Sequence, residues 1–510
     1  MLVTPRIITL TAQASIWTYV ALTFLFYQCT LHKVQSVNKS AFSYTCLRNV
    51  EVSHTSVAST FDKMKIQHIR QSKDLTPENF ELLFKNHFKY PNLKVTEVKH
   101  EELEKGEHYS SEIKTMIVKI EEKDDIRLFI KEPLTTFIGK IGKIRFPFAR
   151  EAFWYMEAHP ALSPIYPEIS NFSPTCFLAR SDYDTNYSRL LDWKHQGGFI
   201  RSMIFIKPDN GMLILEDLKD PKRPKGPLKS INKSVPPSIN ISKLVMKFLA
   251  TFHGVWNSWF KHQNPPRIGG LAKDQMIKAF TFPVYGKALL KGHFKVLKSL
   301  ENQLTMLDKS TELIQAFRYY RKEKVYEDVN CCKPQNSKLL TFCFGDAWSN
   351  NYFVNQEETE ITFVDYQQMN YAHPGQDFWY NIYNQTDVQW RKNYLEDCFK
   401  TYFVSFEKYL PDSNWPQMTY EEFKADMESK RGLGLAFSFM LLPIMIDYSG
   451  KLTNYDMTLK SANEHSKFMQ ETFKYPMKED EHPSIKEINK RLLENIEEAF
   501  ELGLFQKKDI

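Results

Sequence analysis

Two runs decide how this chain is read: TFCFGDAWSNNYF at residues 341–353 and ITFVDYQQ at residues 361–368. Each sets a single aspartate, Asp346 or Asp365, in an otherwise apolar and aromatic stretch, and Asn350 and Asn351 lie between them. Taken alone, an aspartate in such a place is a turn residue or a strand-end acid. Taken together they suggest more. Asn351 follows Asp346 by five residues, and Asp365 ends an alternating strand whose Ile361 and Phe363 share its face. A carboxylate and a carboxamide brought beside a second carboxylate make an oxygen-rich cluster, the kind that holds Mg²⁺ together with phosphate oxygens and water. An aspartate not needed as a ligand is then free to accept a proton from a hydroxyl attacking a phosphoryl group.

Working outward, the composition fits a large folded protein. With 510 residues, 42% of them hydrophobic and 14% aromatic, the chain can bury a core big enough for at least two lobes. Residues 1–63 carry five basic side chains (Arg6, Lys33, Lys39, Arg48, Lys63) against Glu51 and Asp62, so half of the formal +6 sits there. The remainder is close to neutral and gives no support to a nucleic-acid partner. The seven cysteines are odd in number and have no CxxC spacing, which favours reduced thiols in a cytoplasmic protein over disulfides or a zinc site.

Residues 7–32 run without a charge and are long enough to span a bilayer. Basic residues flank both ends, and Thr, Ser and Gln are frequent within it. It reads either as a membrane segment or as an unused extension ahead of a start at Met64, and any membrane association rests on it alone. Order is expected from about residue 75, where Thr76 can N-cap a helix that has Pro77 at its first position and Leu75 placed to staple onto Phe80.

Between about 92 and 132, KVTEVKH, EIKTMIVKI and IRLFIKE alternate as antiparallel strands do, broken by KGEHYSS. FAREAFWYMEA has helical spacing, and GMLILEDL reads as a short buried strand. The segment 219–233 packs six basic residues with three prolines and must be an exposed connector. Beyond it Leu244, Phe248, Phe252 and Trp256 recur every four residues in one long helix. A last helix has Ser484 and Glu487 as a capping box and Gly503 as its stop. The expected organisation is an extension (1–63), a strand-rich lobe (64–218) and a helical lobe (219–510), an α+β chain acting as a monomer.

The paired runs resemble the catalytic loop of aminoglycoside phosphotransferases, choline kinases and, most closely, the CHK or ecdysteroid kinase-like family. Its signature is His-Gly-Asp-x-Trp-x-x-Asn, then a hydrophobic strand ending Asp-Trp-Gln. This chain reads Phe344-Gly345-Asp346-Ala347-Trp348-Ser349-Asn350-Asn351, then Val364-Asp365-Tyr366-Gln367. The resemblance implies a two-lobed protein-kinase-like fold and transfer of a phosphoryl group from ATP to a hydroxyl of a small acceptor, an ecdysteroid or another sterol-like alcohol. It implies Asp346 as catalytic base, with Asn351 and Asp365 as ligands of Mg²⁺. GEHYSS matches the family's loop over the phosphates at Gly106 and Ser111, LFIKE puts Lys131 at the nucleotide-phosphate lysine, and REAFWY puts Glu151 at its ion-pair partner. LILEDL matches the hinge between lobes, so Glu216, Asp217 and Leu218 are expected to offer backbone groups to adenine. LATFH matches a family helix, though its His253 reads as core packing. Asp377, after HPGQ, reads as an N-cap or loop anchor.

Two residues depart from the pattern. Tyr366 stands where tryptophan is usual, a ring for a ring. Phe344 replaces the family histidine, which leaves a second reading open: a nucleotide-binding pseudokinase or scaffold without transfer. Lys131, Glu151, Asp346, Asn351 and Asp365, the groups that handle charge, are all retained.

Overall fold

The computed structural model describes residues 69, 72–101, 111–133, 145–181, 211–233, 235–261, 267–280, 291–337, 339–412, 415–445 and 483–506. The extension and residues 7–32 lie outside them. Among the described residues no helix is long and apolar enough to cross a membrane.

Helix α1 (Pro77–Phe88) starts where its cap predicts, with the Thr76 hydroxyl accepting from the Asn79 amide. Leu75 and Phe80 are buried in the same core. The alternating runs become β1 (Val95–Glu101), β2 (Ser111–Ile120) and β3 (Ile126–Pro133), joined by β4 (Cys176–Arg180) and β5 (Met212–Glu216) in one antiparallel sheet ordered β1-β2-β3-β5-β4. Side chains on a strand alternate between faces. Leu128 and Ile130 of β3 and Met212 and Ile214 of β5 therefore pack with Phe80 and Phe84 of α1. Phe129 and Lys131 point the other way, toward α2 (Arg145–Phe153), which runs on through a π turn at Trp154–Ala158.

After β5 the chain crosses the basic connector, where only β6 (Lys229–Ser230) is extended, and becomes helical. Helix α3 (Ile239–Lys261) buries Phe248, Phe252 and Trp256. It packs against β7 (Thr341–Cys343), whose antiparallel partner is β10 (Asn370–Ala372). Between these two strands lies the hairpin β8 (Tyr352–Val354) and β9 (Ile361–Phe363). Helices α4 (Gly375–Gln385), α5 (Val388–Glu407) and α6 (Arg431–Met445) build the lobe behind it.

Helix α7 (Pro483–Glu501) closes the chain through a buried ionic knot: Arg391 of α5 donates to Glu498 and Asn495, and Arg431 donates to Glu498 and Tyr383. It begins two residues earlier than a Ser484 cap would place it. Pro483 takes the first helical position, where its missing N–H is no loss, so Ser484 falls inside the first turn and not ahead of it. Gly503 does end the helix, at φ +67°. The fold is α+β and two-lobed, a five-stranded antiparallel sheet followed by a larger helical part.

Candidate active site

Lys131 and Glu151 come from β3 and α2 and meet beneath the sheet. The Lys131 ammonium lies 2.6 Å from Glu151 Oε2 and 2.8 Å from Asp365 Oδ1. Burial pulls the ammonium's pKa down, but Asp365 and Glu151 outweigh that and hold it above the usual lysine value. Burial pushes the Glu151 carboxyl up against the pull of Lys131.

Hairpin register explains how Asn351 and Asp365 become neighbours. Tyr352 pairs with Phe363, and the Val364 amide donates to the Asn351 carbonyl at 2.9 Å, which brings the residue before β8 beside the residue after β9. Asp365 sits in the left-handed region at φ 68°, turning its carboxylate back toward Lys131 while Gln367 Nε2 donates to the second oxygen at 2.9 Å. Lys89, Glu122, Asp308 and Glu358 also hold a positive φ, and aspartate tolerates that region better than most residues. The Asn351 carboxamide donates its N–H groups to the Asp346 carbonyl and to Asp346 Oδ2, at 2.9 and 3.0 Å. Its oxygen takes no part in these two bonds. Asn351 and Asp365 thus present a hard-oxygen set that fits a divalent cation.

Asp346 is partly buried, with a second hydrogen bond from the Tyr380 hydroxyl to Oδ1 at 2.6 Å. Burial raises its carboxyl to about 7, against the opposing effect of Tyr380 and Asn351. Gly345 precedes it at φ +88°, and a Cβ there would lie 2.1 Å from the Gln368 carbonyl oxygen, so no other residue fits.

The Phe344 ring is fully buried. It meets Phe248, Phe252, Phe363 and Tyr366 edge-on, at centroid distances of 5.7, 6.4, 5.4 and 5.1 Å. Tyr366 in turn stacks on Trp154 at 4.5 Å and shares a 2.8 Å hydrogen bond with Ser173.

Asp377 is the loop anchor that its position suggests: its carboxylate accepts from the Phe344 amide at 2.5 Å and the Gly345 amide at 2.8 Å. His253 does more than fill the core. Its Nε2 lies 2.9 Å from Asp377 and its Nδ1 lies 2.6 Å from the Tyr402 hydroxyl, which puts the ring proton on Nε2. Cys343 completes a buried group of possible ligands with His253 and Asp377, but the carboxylate already serves three donors.

Gly106 lies outside the described residues, and Ser111 is placed only as the first residue of β2, opposite Pro133. At the end of β5, the amides of Glu216 and Asp217 donate to the Thr175 and Arg127 carbonyls, and the carbonyls of Asp217 and Leu218 accept from Asp220 and Leu228. The Glu216 side chain takes the Thr175 amide at 3.1 Å and the Arg223 guanidinium at 2.9 Å. Among the described residues, the Glu216 carbonyl and the Leu218 amide take no part in these bonds.

Tyr380 and Asn381, whose Nδ2 donates to the Ala347 carbonyl at 2.9 Å, were not legible as site residues, and Gln367 entered only as the last residue of the matched motif. The available signal was helical: Tyr380 and Asn381 follow Asp377 by three and four positions and share its face.

A sequence model of the ecdysteroid kinase-like family matches residues 105–415. No curated protein matches the chain in sequence. Similar solved structures include a macrolide 2'-phosphotransferase from Brachybacterium faecium, at 8% identity and TM-score 0.34 over 77% of this chain and 97% of that one. Another is an ethanolamine kinase from Plasmodium vivax, at 10% identity and TM-score 0.33 over 88% of this chain and 96% of that one. A third is a microcompartment-associated aminopropanol kinase, at 9% identity and TM-score 0.34 over 75% of this chain and 90% of that one.

Proposed function

The chain belongs to the ecdysteroid kinase-like family of small-molecule kinases, and on that premise we propose that it transfers the γ-phosphoryl group of ATP to a hydroxyl of a small molecule. The observation that carries this reading is the double engagement of Lys131, bonded at once to Glu151 from the sheet lobe and to Asp365 from the helical lobe. A buried lysine kept charged and aimed by two carboxylates is suited to grip the α and β phosphates. The Glu216 carbonyl and the Leu218 amide, two residues apart, would receive the adenine edge, and Gly106 and Ser111 would cover the phosphates. Asn351 and Asp365 would hold Mg²⁺, which when bound offsets phosphate charge. Asp346 accepts the proton of the acceptor hydroxyl as its oxygen bonds to the γ-phosphorus and ADP departs.

The acceptor in this reading is an apolar alcohol, an ecdysteroid or another sterol-like molecule. What supports that is the family match, together with the apolar surroundings of Tyr380, which bonds to Asp346: Leu433 and Phe437 are buried with it, and Trp348 and Leu441 lie partly buried against them. The protein would act as a monomer in the cytoplasm, without nucleic acid. The pseudokinase alternative draws on Phe344 alone, and the aromatic box around that ring assigns it a packing role. The test is to incubate the full chain with labelled ATP, Mg²⁺ and a metabolite extract. Label appearing in a hydroxylated small molecule supports the reading. Label appearing only as free phosphate, or nowhere, with nucleotide bound, removes it in favour of the pseudokinase.

A further inference from the structure

We propose that Tyr380 is a positioning residue that aims the Asp346 side chain, working with Asn351 as a two-sided clamp; the proposal rests on the phosphotransferase reading above. The Tyr380 hydroxyl donates to Asp346 Oδ1 at 2.6 Å, and Asn351 Nδ2 donates to Oδ2 at 3.0 Å. Both carboxylate oxygens are thereby fixed, and the lone pairs left over can face in few directions.

The clamp belongs to a larger grip. One face of α4 holds the loop on both sides of Asp346: Asp377 accepts from the Phe344 and Gly345 amides, and Asn381 donates to the Ala347 carbonyl. Tyr380 lies between these contacts and supplies the only one of the three that touches the Asp346 side chain. Spacing of three and four residues puts all three on one face of a helix whose every residue is buried. A loop residue is thus oriented by a rigid element, which is what precise placement of a reacting group requires.

A plainer account would make Tyr380 a packed ring whose hydroxyl happens to find a partner. Its ring does pack, edge-on to Phe437 at 5.7 Å. Burial by itself, however, does not place a hydroxyl in this protein: among the described residues, Tyr155 and Tyr320 are buried and their hydroxyls have no hydrogen-bond partner.

The test has two arms on the full chain. The first needs no turnover: urea unfolding of wild type, Tyr380→Phe, Asp346→Ala and the double variant. Losses that fail to add, the double variant losing less than both singles together, support the clamp, and simple additivity overturns it. The second arm measures transfer with MgATP and the metabolite extract as probe. Tyr380→Phe keeps the ring and is expected to lower the rate at saturating ATP by roughly ten- to hundredfold, the effect of one hydrogen bond to a charged group, with half-saturation for ATP nearly unmoved.

The comparison variant is Tyr383→Phe, one turn along α4, whose hydroxyl accepts from Arg431 at 2.8 Å. It is expected to lose stability and keep the transfer rate. An unchanged rate in Tyr380→Phe, or phosphotyrosine found at Tyr380 after incubation with MgATP, overturns the positioning role. Absence of transfer in the wild type alongside non-additive unfolding would remove the phosphotransferase reading and leave the clamp standing.

Discussion

Replacing Phe344 with histidine separates loss of packing from loss of catalysis. The ring is fully buried and its four ring neighbours, Phe248, Phe252, Phe363 and Tyr366, are aromatic. The hydroxyl of the last is already engaged by Ser173. An imidazole placed there carries a donor and an acceptor into an apolar box, and a buried polar group left unpaired costs about 1–3 kcal/mol. Weakened edge-on contacts add about 0.5–1.5 kcal/mol for each pair disturbed. Phe344→His is therefore expected to lose roughly 2–4 kcal/mol of stability in urea unfolding. Catalysis should hardly respond. What Phe344 contributes to the loop is its backbone amide, bonded to Asp377, and that bond does not depend on the side chain. Initial rates at saturating ATP, taken where both proteins are folded, should differ by less than roughly tenfold, or about 1.4 kcal/mol of barrier. A silent wild type that gains transfer as Phe344→His would refute the reasoning, and so would a variant of unchanged stability.

Asp346→Ala should lower kcat by on the order of 10²–10⁴ with nucleotide affinity little changed, measured by steady-state kinetics and calorimetry. Because burial raises the Asp346 carboxyl to about 7, the wild-type kcat/KM should climb as pH rises through about 7 and the base ionises; a flat profile between pH 6 and 8 would contradict this. Asp365→Ala should weaken Mg²⁺-dependent nucleotide binding in calorimetry and leave Lys131 with Glu151 as its partner, so equal affinity at matched stability would remove Asp365 from the metal site. Gly345→Ala forces a Cβ against the Gln368 carbonyl at a positive φ and should destabilise the chain by several kcal/mol, on the scale of about 1–3 for the backbone conformation plus the clash, read by urea unfolding. Residues 64–510 expressed alone should fold with a cooperative melt, since the Ile69 carbonyl already accepts from Arg180 and α1 is capped at Thr76; a requirement for the first 63 residues would move the boundary.

Local chemistry was readable from the sequence because it is written in short-range patterns. Period-two alternation marked the strand that carries Lys131, a Thr-Pro pair started α1, and the grouping of Asp346, Asn351 and Asp365 suggested an oxygen-rich cluster. The turn at Gly503 and the long apolar stripe of α3 were equally local. Ser484 was misplaced because a proline one residue earlier competes for the helix start, and cap signals overlap within a turn. What only the tertiary structure decided are contacts between distant segments. Lys131 and Asp365 lie 234 positions apart. His253 reaches Asp377 across 124 positions and becomes part of the loop's support. The aromatic box that makes Phe344 a packing residue is assembled from α3, β9 and the turn after it. Tyr380 reads in sequence as one more ring among many, because a ring's burial follows from its apolar face while the partner of its hydroxyl depends on which loop the helix is packed against.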